Sequence, residues 1–192
     1  MVEKMVPAVF IDRDGTLIEH VPYLDDLKRI KLIPKAALAL KKMKELGYLL
    51  VVVTNQSGVA RGYFEEDFVQ KSHRFIQREL EKEGASIDAF YYCPHHPEAT
   101  IGRYRRQCRC RKPFPDMVLN AVEDFSIDLK RSWIIGDNEP DFLLAENTGC
   151  PFILVRTGYG AEFEQERRCS SVKVVNGLYE AACYIERVHG IE

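Results

Sequence analysis

Two aspartates that stand one residue apart, Asp12 and Asp14, follow a short apolar run and precede a glycine. The run, residues 7–11, predicts a buried strand, and ligands in parallel α/β sheets bind just beyond the carboxyl ends of the strands. Two carboxyls in unlike environments can serve one reaction as nucleophile and as acid–base group. Because aspartates in a D-x-D-G sequence also favour turns, the pair alone leaves a purely structural explanation open.

Three further polar segments stand at predicted strand or helix boundaries. They are TNQSG at residues 54–58, RKP at residues 111–113 and GDNEPD at residues 136–141. The carboxyl ends of parallel strands meet at one edge of a sheet, so we expect the aspartates, Thr54 and Asp137 to lie close together. Turn preferences alone do not explain four such segments in this order.

The combination resembles the haloacid-dehalogenase (HAD) superfamily of phosphohydrolases. The four motifs of that superfamily are matched by DRDGT at residues 12–16, by Thr54, by Lys112 and by G-D-x-x-x-D at residues 136–141. The resemblance runs over nearly the whole chain. It implies a Rossmann-like α/β fold and the hydrolysis of a phosphate monoester.

The resemblance also implies a role for each matched residue. Asp12 would be the nucleophile that forms an aspartyl-phosphate. Asp14 would protonate the leaving alkoxide and then deprotonate water, which calls for a raised pKa at Asp14 beside an ionised Asp12. Thr54 and the amide of Asn55 would hold the phosphoryl oxygens, and Lys112 would offset their charge as a compact cation.

Converging carboxylates also call for a cation, and Mg²⁺ takes oxygen ligands, often few carboxylates together with phosphate. By resemblance its ligands are the side chain of Asp12, the backbone carbonyl of Asp14 and Asp137. We expect Asp141 to orient these ligands rather than to bind the metal.

A second cluster lies in CPHHP at residues 93–97 and CRCRKP at residues 108–113. Its four donors match a closed, structural Cys₃His zinc site, which leaves no position open for water; they are Cys93, His95, Cys108 and Cys110. Unrelated thiols on a polar loop are the alternative. Zn²⁺ would close the loop over about residues 93–110 and place Arg111 at the edge of the active site. His96 is left without an assigned role.

A zinc loop of this form is similar to that of the capless HAD branch, which contains the D-glycero-D-manno-heptose-1,7-bisphosphate 7-phosphatases and the histidinol-phosphate phosphatases. FIDRDGT, VVVTNQSGVARG, YYCPHHP and CRCRKP resemble the heptose enzymes more closely, and so does the length of the loop from His95 to Cys108. Asn138 departs from that pattern, in which lysine is expected. The resemblance implies Mg²⁺-dependent removal of the 7-phosphate during the synthesis of nucleotide-activated heptose for lipopolysaccharide. The anomer stays open.

The charge of the zinc loop favours a substrate with two phosphates. Six of the ten residues at 103–112 are Arg or Lys, in a chain of net charge −2. We expect Arg111 to grip the second phosphate or sugar hydroxyls with paired hydrogen bonds. A solvated basic loop explains Arg103, Arg105 and Arg106 equally well. Histidinol phosphate, the alternative substrate, carries a cationic amine and would favour acidic groups that this loop lacks.

Strands and helices alternate along the chain, which predicts a doubly wound parallel sheet. The strands are predicted over 7–11, 48–53, 87–92, 132–135, 152–155 and 172–175, and the helices over 34–47, 65–83, 115–125, 140–147 and 177–188. About 40 residues separate Asp14 from Thr54, too few for an inserted cap domain. We expect residues 1–192 to form a single HAD-like phosphatase domain.

Composition excludes several classes of function. A slightly acidic chain has no general basic face for nucleic acid, and a nucleic-acid 3′-phosphatase would need aromatic residues among its basic groups. No apolar run approaches the roughly 20 residues of a membrane span, and the start, MVEKMVP, is too charged for a secretory signal. We expect a monomeric, cytoplasmic enzyme that acts on a small sugar phosphate, without nucleic-acid or membrane partners. A zinc-stabilised binding module without activity is the remaining alternative, and the paired carboxylates disfavour it.

The three cysteines outside the cluster have a simpler explanation. Cys150, Cys169 and Cys183 are scattered along the chain. Isolated cysteines in a reducing compartment usually behave as small hydrophobic residues. We therefore expect them to be buried or half-buried and without a chemical role.

Overall fold

The computed structural model describes residues 5–167 and 172–190, and six parallel strands form one sheet within them. The strands are β1 (Ala8–Ile11), β2 (Leu49–Asn55), β3 (Ala89–Cys93), β4 (Trp133–Gly136), β5 (Phe152–Val155) and β6 (Lys173–Val175). Their order in the sheet is β3-β2-β1-β4-β5-β6. This is the Rossmann order, so the predicted doubly wound α/β fold is confirmed.

The central strand β1 pairs with β2 on one side and with β4 on the other. All four of its residues are buried, as the continuous apolar run predicts for a strand covered on both faces. Successive strands are added to one side of β1 up to β3 and to its other side from β4 onward, so the direction of strand addition reverses between β1 and β4. In open α/β sheets a crevice forms at such a reversal, beyond the carboxyl ends of the two strands.

Seven α-helices are described around this sheet. They are α1 (Ala36–Glu45), α2 (Ser57–Arg61), α3 (Glu66–Lys82), α4 (Asp116–Phe125), α5 (Glu139–Thr148), α6 (Gly160–Arg167) and α7 (Leu178–His189). Leu40, Ile76 and Ile185 bring α1, α3 and α7 into the core on one face. Met117 and Leu144 bring α4 and α5 into the core on the other, which gives three layers.

The prediction missed two helices and misplaced the start of a third. The five residues of α2 are too few to show a helical period, and α6 is mostly polar. Pro34 was expected to begin the first helix, but α1 begins at Ala36, because Lys35 precedes it with a left-handed backbone (φ 64°). Gly47, with φ 86°, does end this helix as expected.

The segment between Asp14 and Thr54 contains a short 3₁₀ helix (Leu27–Arg29), α1 and most of β2. No cap domain is inserted there, as predicted. In the described part of the chain, no helix is long and apolar enough to cross a membrane.

The scattered cysteines are placed as expected where they are described. Cys150 is 5% exposed in the core beneath α4 and α5, and Cys183 is half-buried on α7. Cys169 and the first four residues lie outside the described residues.

Candidate active site

The ends of β1 and β4 bring three carboxylates together. Asp12 follows β1 directly, and its N–H donates to the carbonyl of Ile135 at 2.9 Å, which continues the strand pairing by one residue. Asp137 follows β4, and Asp141 lies in the first turn of α5. All three are buried, and one oxygen from each lies within 4.8 Å of the others.

Lys112 bridges two of these carboxylates. Its Nζ donates to Oδ1 of Asp12 and to Oδ1 of Asp141, both at 2.6 Å, and to the carbonyl of Val53 at 2.9 Å. Burial alone lowers the pKa of Lys112, but the charges of Asp12 and Asp141 outweigh it and raise the pKa overall. Lys112 is therefore held as a buried cation beside the end of β1.

The side chain of Asn55 holds the backbone of Lys112 in place. Its Oδ1 accepts from the N–H of Lys112 at 3.0 Å, and its Nδ2 donates to the carbonyl of Lys112 at 3.1 Å. This pair connects the end of β2 to the segment before α4, 57 residues later. Because the side chain of Asn55 is engaged in this way, its predicted contact with the phosphate would be made by its backbone N–H. That contact stays a prediction.

Two glycines let loops approach Asp137 closely. Gly15 (φ +96°) and Gly158 (φ +58°) both adopt the left-handed backbone that favours glycine, and a Cβ at either position would collide with the Asp137 carboxylate. The N–H of Tyr159, beside Gly158, donates to Oδ2 of Asp137 at 2.8 Å. The loop after β5, which the sequence did not single out, thus supports the site.

Burial raises the pKa of Asp12 well above its usual range, and the charges of Asp141 and Asp137 raise it further against the opposing Lys112. Burial and the charge of Asp141 raise the pKa of Asp137 to about 7. These carboxylates share Lys112 and carry more negative charge than it offsets. A buried group of carboxylate oxygens with excess negative charge fits a hard divalent cation such as Mg²⁺.

The Asp14 carboxylate is not part of this group, because its oxygens face Arg13 and Gln56. Arg13 donates from Nε to Oδ2 and from Nη2 to Oδ1, each at 3.0 Å, and Gln56 donates from Nε2 to Oδ2 at 2.9 Å. Thr54, at the end of β2, lies 3.5 Å from Asp14 Oδ2 through its Oγ1. Asp14 is therefore held at the site through its neighbours rather than through the other carboxylates.

The predicted order of the two pKa values is reversed in this structure. Burial raises the pKa of Asp14, but the charge and hydrogen bonds of Arg13, with the hydrogen bond of Gln56, outweigh burial and lower it. Asp12 has the raised pKa because carboxylates surround it. A cation bound among those carboxylates would in turn lower the pKa of Asp12.

The four predicted zinc ligands converge at the end of β3. The Sγ atoms of Cys93, Cys108 and Cys110 lie 3.2 to 3.4 Å apart, and Nδ1 of His95 lies 3.4 Å from Cys110 and 3.7 Å from Cys93. Sulfur atoms around a tetrahedral zinc are separated by about 3.8 Å, since each Zn–S bond is about 2.3 Å. The donor set and its spacing fit Zn²⁺.

The zinc loop also packs against α2 and α3. The N–H of Ile101 donates to the carbonyl of Ala60 at 3.0 Å, and the hydroxyl of Tyr104 donates to Glu66 at 2.6 Å. His96 lies 3.4 Å from Nη2 of Arg61, which gives it a contact with α2 that the sequence did not indicate. The loop is thereby connected to the helix that follows Thr54 and Asn55.

The arginines of the loop fall into two groups. Arg103, Arg105 and Arg106 are exposed, although Arg105 donates from Nε to the carbonyl of Ala99 and Nη2 of Arg106 lies 2.6 Å from Nε2 of His95. Arg111 is half-buried and donates to the carbonyl of His95 at 3.3 Å. It directly precedes the buried Lys112 in the chain, and its predicted grip on a second phosphate stays a prediction.

Comparisons with known proteins show which family has this chain as a member. The HAD-hydrolase-like family profile matches residues 109–181. The D-glycero-beta-D-manno-heptose-1,7-bisphosphate 7-phosphatase of Haemophilus ducreyi (strain 35000HP / ATCC 700724) is 43% identical over 183 residues, which cover 93% of this chain and 97% of that protein. The chain belongs to this heptose bisphosphate phosphatase family.

Two further members of the heptose bisphosphate phosphatase family are similar over most of their length. The Photorhabdus laumondii subsp. laumondii phosphatase is 43% identical over 90% of this chain and 92% of its own. The crystal structure of D,D-heptose 1,7-bisphosphate phosphatase from B. bronchiseptica, complexed with magnesium and phosphate, aligns with a TM-score of 0.84. It is 27% identical, and the alignment covers 95% of this chain and 99% of that one.

The sequence analysis of this heptose bisphosphate phosphatase did not predict one part of the site. Arg13, Gln56, Ser72 and His73 form a buried hydrogen-bonded group beside Asp14. One signal was available, because Arg13 stands between two predicted site residues directly after a buried strand, and an arginine that is buried there needs partners. Ser72 and His73 carry no such signal, since they look like ordinary residues of an amphipathic helix.

Proposed function

We propose that this protein is a Mg²⁺-dependent D-glycero-beta-D-manno-heptose-1,7-bisphosphate 7-phosphatase that acts through an aspartyl-phosphate. The observation that carries the proposal is the buried group of Asp12, Asp137 and Asp141, joined to Lys112 at the reversal point of the sheet, in a chain that belongs to this family. The relatives in Haemophilus ducreyi and Photorhabdus laumondii are phosphatases of the β anomer, which supports the choice of this anomer for a substrate that the sequence left open. Family resemblance implies that the product serves the synthesis of nucleotide-activated heptose for lipopolysaccharide.

In the first step a carboxylate oxygen of Asp12 attacks the phosphorus of the 7-phosphate. The negative charge of the bound phosphate opposes the effect of Arg13 and raises the pKa of Asp14, so that Asp14 enters this step protonated. The bond between phosphorus and the C7 oxygen breaks, and Asp14 gives its proton to that oxygen. Lys112, 2.6 Å from Asp12, offsets the charge of the phosphoryl oxygens. Thr54 and the backbone N–H of Asn55 hold the same oxygens by hydrogen bonds.

In the second step a water molecule attacks the phosphorus of the acyl phosphate. Asp14, now a carboxylate, takes a proton from that water, and the bond between phosphorus and the Asp12 oxygen breaks. Inorganic phosphate leaves, and both aspartates return to their starting protonation states.

The side chains of Asp12 and Asp137 and the backbone carbonyl of Asp14 would hold the Mg²⁺. The bound cation supplies positive charge to the phosphoryl oxygens and to the carboxylates that surround it. Asp141, fixed by Lys112 at 2.6 Å, keeps its neighbours oriented. The relative of known structure contains magnesium and phosphate, which supports this assignment.

We further propose that Cys93, His95, Cys108 and Cys110 hold a structural Zn²⁺. Three clustered thiols must stay reduced, which favours the cytoplasm. Residues 1–192 form one domain in this proposal, because both helix layers pack on the same sheet. The exposed large hydrophobic side chains of the described residues are scattered over several elements, in keeping with a monomer.

Arg111 is proposed to bind the phosphate that is not removed. It is half-buried, directly precedes Lys112 and is held by the carbonyl of His95. A guanidinium placed there can form paired hydrogen bonds to a second phosphate group. Histidinol phosphate has one phosphate only, so it cannot make this contact. This residue therefore connects the zinc loop to the choice of substrate.

The test is phosphate release from both anomers of heptose 1,7-bisphosphate and from histidinol phosphate, at matched concentrations with Mg²⁺. We expect the highest kcat/KM for the β-heptose bisphosphate and a loss of at least about 10³-fold in Asp12→Asn. Asp67→Asn, at an exposed aspartate of α3, is the matched control and should keep full activity. A preference for histidinol phosphate, or full activity in Asp12→Asn, would overturn the proposal.

A further inference from the structure

Arg13 is a buried arginine, 2% exposed, that makes five hydrogen-bonding contacts with four residues around its guanidinium. Two of its donors reach the Asp14 carboxylate at 3.0 Å, and Nη2 also donates to Oε1 of Gln56 at 2.9 Å. From Nη1 it donates to Oγ of Ser72 at 3.1 Å and lies 3.4 Å from Nε2 of His73. Because arginine has no acceptor, His73 must present a lone pair at Nε2.

Both partners on α3 are themselves fixed. The hydroxyl of Ser72 donates to the carbonyl of Val69 at 2.7 Å, so its lone pairs are left to accept from Arg13. The ring of His73 stacks on Phe90 of β3 with centroids 4.7 Å apart. Burial and the charge of Arg13 lower the pKa of His73 to about 3, so the ring stays neutral and able to accept. The guanidinium cannot turn without losing these contacts.

Asp14 and the anchored arginine both line an open cleft. The cleft has a volume of about 160 Å³ and lies between the loop that contains His20 and Tyr23 and the turn at Gln56. Asp14 lines it, and its side chain is 22% exposed. The Arg13 side chain is only 3% exposed to the cleft, and its donors are taken up by Asp14, Gln56 and Ser72 of α3, so it does not offer them to a substrate.

We infer that Arg13 is a positioning residue, whose guanidinium, anchored on α3 by Ser72 and His73, fixes the Asp14 carboxyl at the wall of the cleft where the leaving group departs. The inference rests on the proposed function, in which Asp14 protonates that leaving group. Gln56 completes the arrangement, because it bonds to Asp14 at 2.9 Å and to Thr54 at 2.8 Å and so ties the acid to the phosphate-binding strand end.

The test compares two leaving groups in a single turnover, measured by rapid quench with Mg²⁺. The sugar alkoxide of heptose 1,7-bisphosphate needs a proton to depart, whereas nitrophenolate departs from p-nitrophenyl phosphate without one. We expect Arg13→Met to slow the release of the sugar by about 10- to 100-fold, a part of the roughly 10²- to 10⁴-fold that general acid catalysis supplies, and the release of nitrophenolate by less than about threefold. Arg13→Lys, which keeps the charge and one donor, should recover part of the loss.

A double-mutant cycle tests whether Arg13 acts through Asp14. If it does, adding Arg13→Met to Asp14→Asn slows sugar release no further. The control is Ile76→Ala, which removes a buried side chain of α3 without touching the donors of Arg13. This control should lower stability and leave the ratio of the two rates at its wild-type value.

The outcomes separate the inference from the function on which it rests. Arg13 would be only structural if Arg13→Met slowed the release of both leaving groups equally, or if the rate losses of Arg13→Met and Asp14→Asn added up in the double variant. Either outcome leaves the proposed function intact, because that function rests on the activity of the wild-type protein. A wild-type protein that hydrolyses neither substrate overturns the proposed function and the inference together. If Arg13→Met does not fold, the rate ratios of Arg13→Lys and Ser72→Ala decide the question in the same way.

Discussion

Lys112 shows what a single buried charge does in this site. It is 4% exposed, contacts Asp12 and Asp141, and is held at its backbone by Asn55. A buried cation between carboxylates is costly to remove, because the partners are left as uncompensated buried charges.

We therefore predict two effects of Lys112→Met. The free energy of unfolding should fall by about 3–5 kcal/mol, as when one partner of a buried ion pair is removed. Phosphatase activity should fall by roughly 10²- to 10³-fold, the usual cost of losing one group that stabilises transition-state charge. Urea unfolding and steady-state kinetics measure these effects, and Lys71→Met, at an exposed lysine of α3, is the control. Wild-type stability in Lys112→Met would contradict the buried position of the charge.

His73 leads to a prediction about pH. Its pKa is about 3 in the folded protein and about 6.5 in the unfolded chain. As the pH falls below 6.5 the unfolded chain takes up a proton that the folded protein does not, so the wild-type loses stability by up to about 1.4 kcal/mol per pH unit.

His73→Gln removes this dependence. Between pH 7 and pH 5 the variant should therefore gain about 2 kcal/mol relative to the wild-type, whatever its stability at pH 7. Urea unfolding of both proteins at the two pH values measures the change. Parallel stability curves for the two proteins would show that His73 is not buried as a neutral ring.

At the residue scale, the sequence predicted which side chains meet but not how each is held. Asp12, Thr54, Lys112 and Asp137 were recognisable because strand ends converge and because the motifs match in order. The reversed pKa order of Asp12 and Asp14 was not predictable, since it depends on where the Arg13 side chain points.

At the scale of elements, the zinc loop depends on few apolar contacts. The small apolar cluster that it shares with α2 and α3 contains Val59, Ala60, Val69, Ala99 and Tyr104. A loop with so small a core would rely on a metal cross-link, and Lys112 stands two residues after Cys110, the last of the proposed zinc ligands. Loss of the metal would therefore affect both stability and the site.

We predict that Cys108→Ser removes the bound zinc and lowers the free energy of unfolding by about 3 kcal/mol, the entropy of closing a loop of this length. The kcat/KM should fall as well, because Lys112 and Arg111 lose their support. Elemental analysis, thermal unfolding and kinetics measure the three effects. Cys183→Ser, at a half-buried cysteine on α7, is the control and should keep its zinc. A wild-type protein purified without chelators that contains no zinc would contradict the assignment.

The elements that the sequence missed share a physical reason. A helix of five residues such as α2 stays below the length at which periodicity is visible, yet its packing on the zinc loop makes it part of the site. The helix α6 has a polar sequence without an apolar period, so the sequence did not indicate it. It follows the loop whose Tyr159 N–H binds Asp137. Long amphipathic elements such as α3 were predicted to within a residue or two.

At the scale of the whole molecule, the order of the strands in the sheet determines where the catalytic carboxylates lie. Alternating strands and helices predict a parallel sheet but not the order of its strands, which the structure provides. The order puts β1 beside β4, and their ends supply Asp12 and Asp137. Since no cap covers this edge in the segments before Lys112, the cleft beside Asp14 stays open to a substrate with an accessible terminal phosphate.

The measurement that tests the account most directly is a ³¹P NMR time course of β-heptose 1,7-bisphosphate with the protein and Mg²⁺. The account predicts that the signal of the 7-phosphate disappears as inorganic phosphate appears, while the signal of the anomeric phosphate persists. In Asp12→Asn neither signal should change over the same time. Loss of the anomeric phosphate first, or turnover by Asp12→Asn at the wild-type rate, would contradict the account.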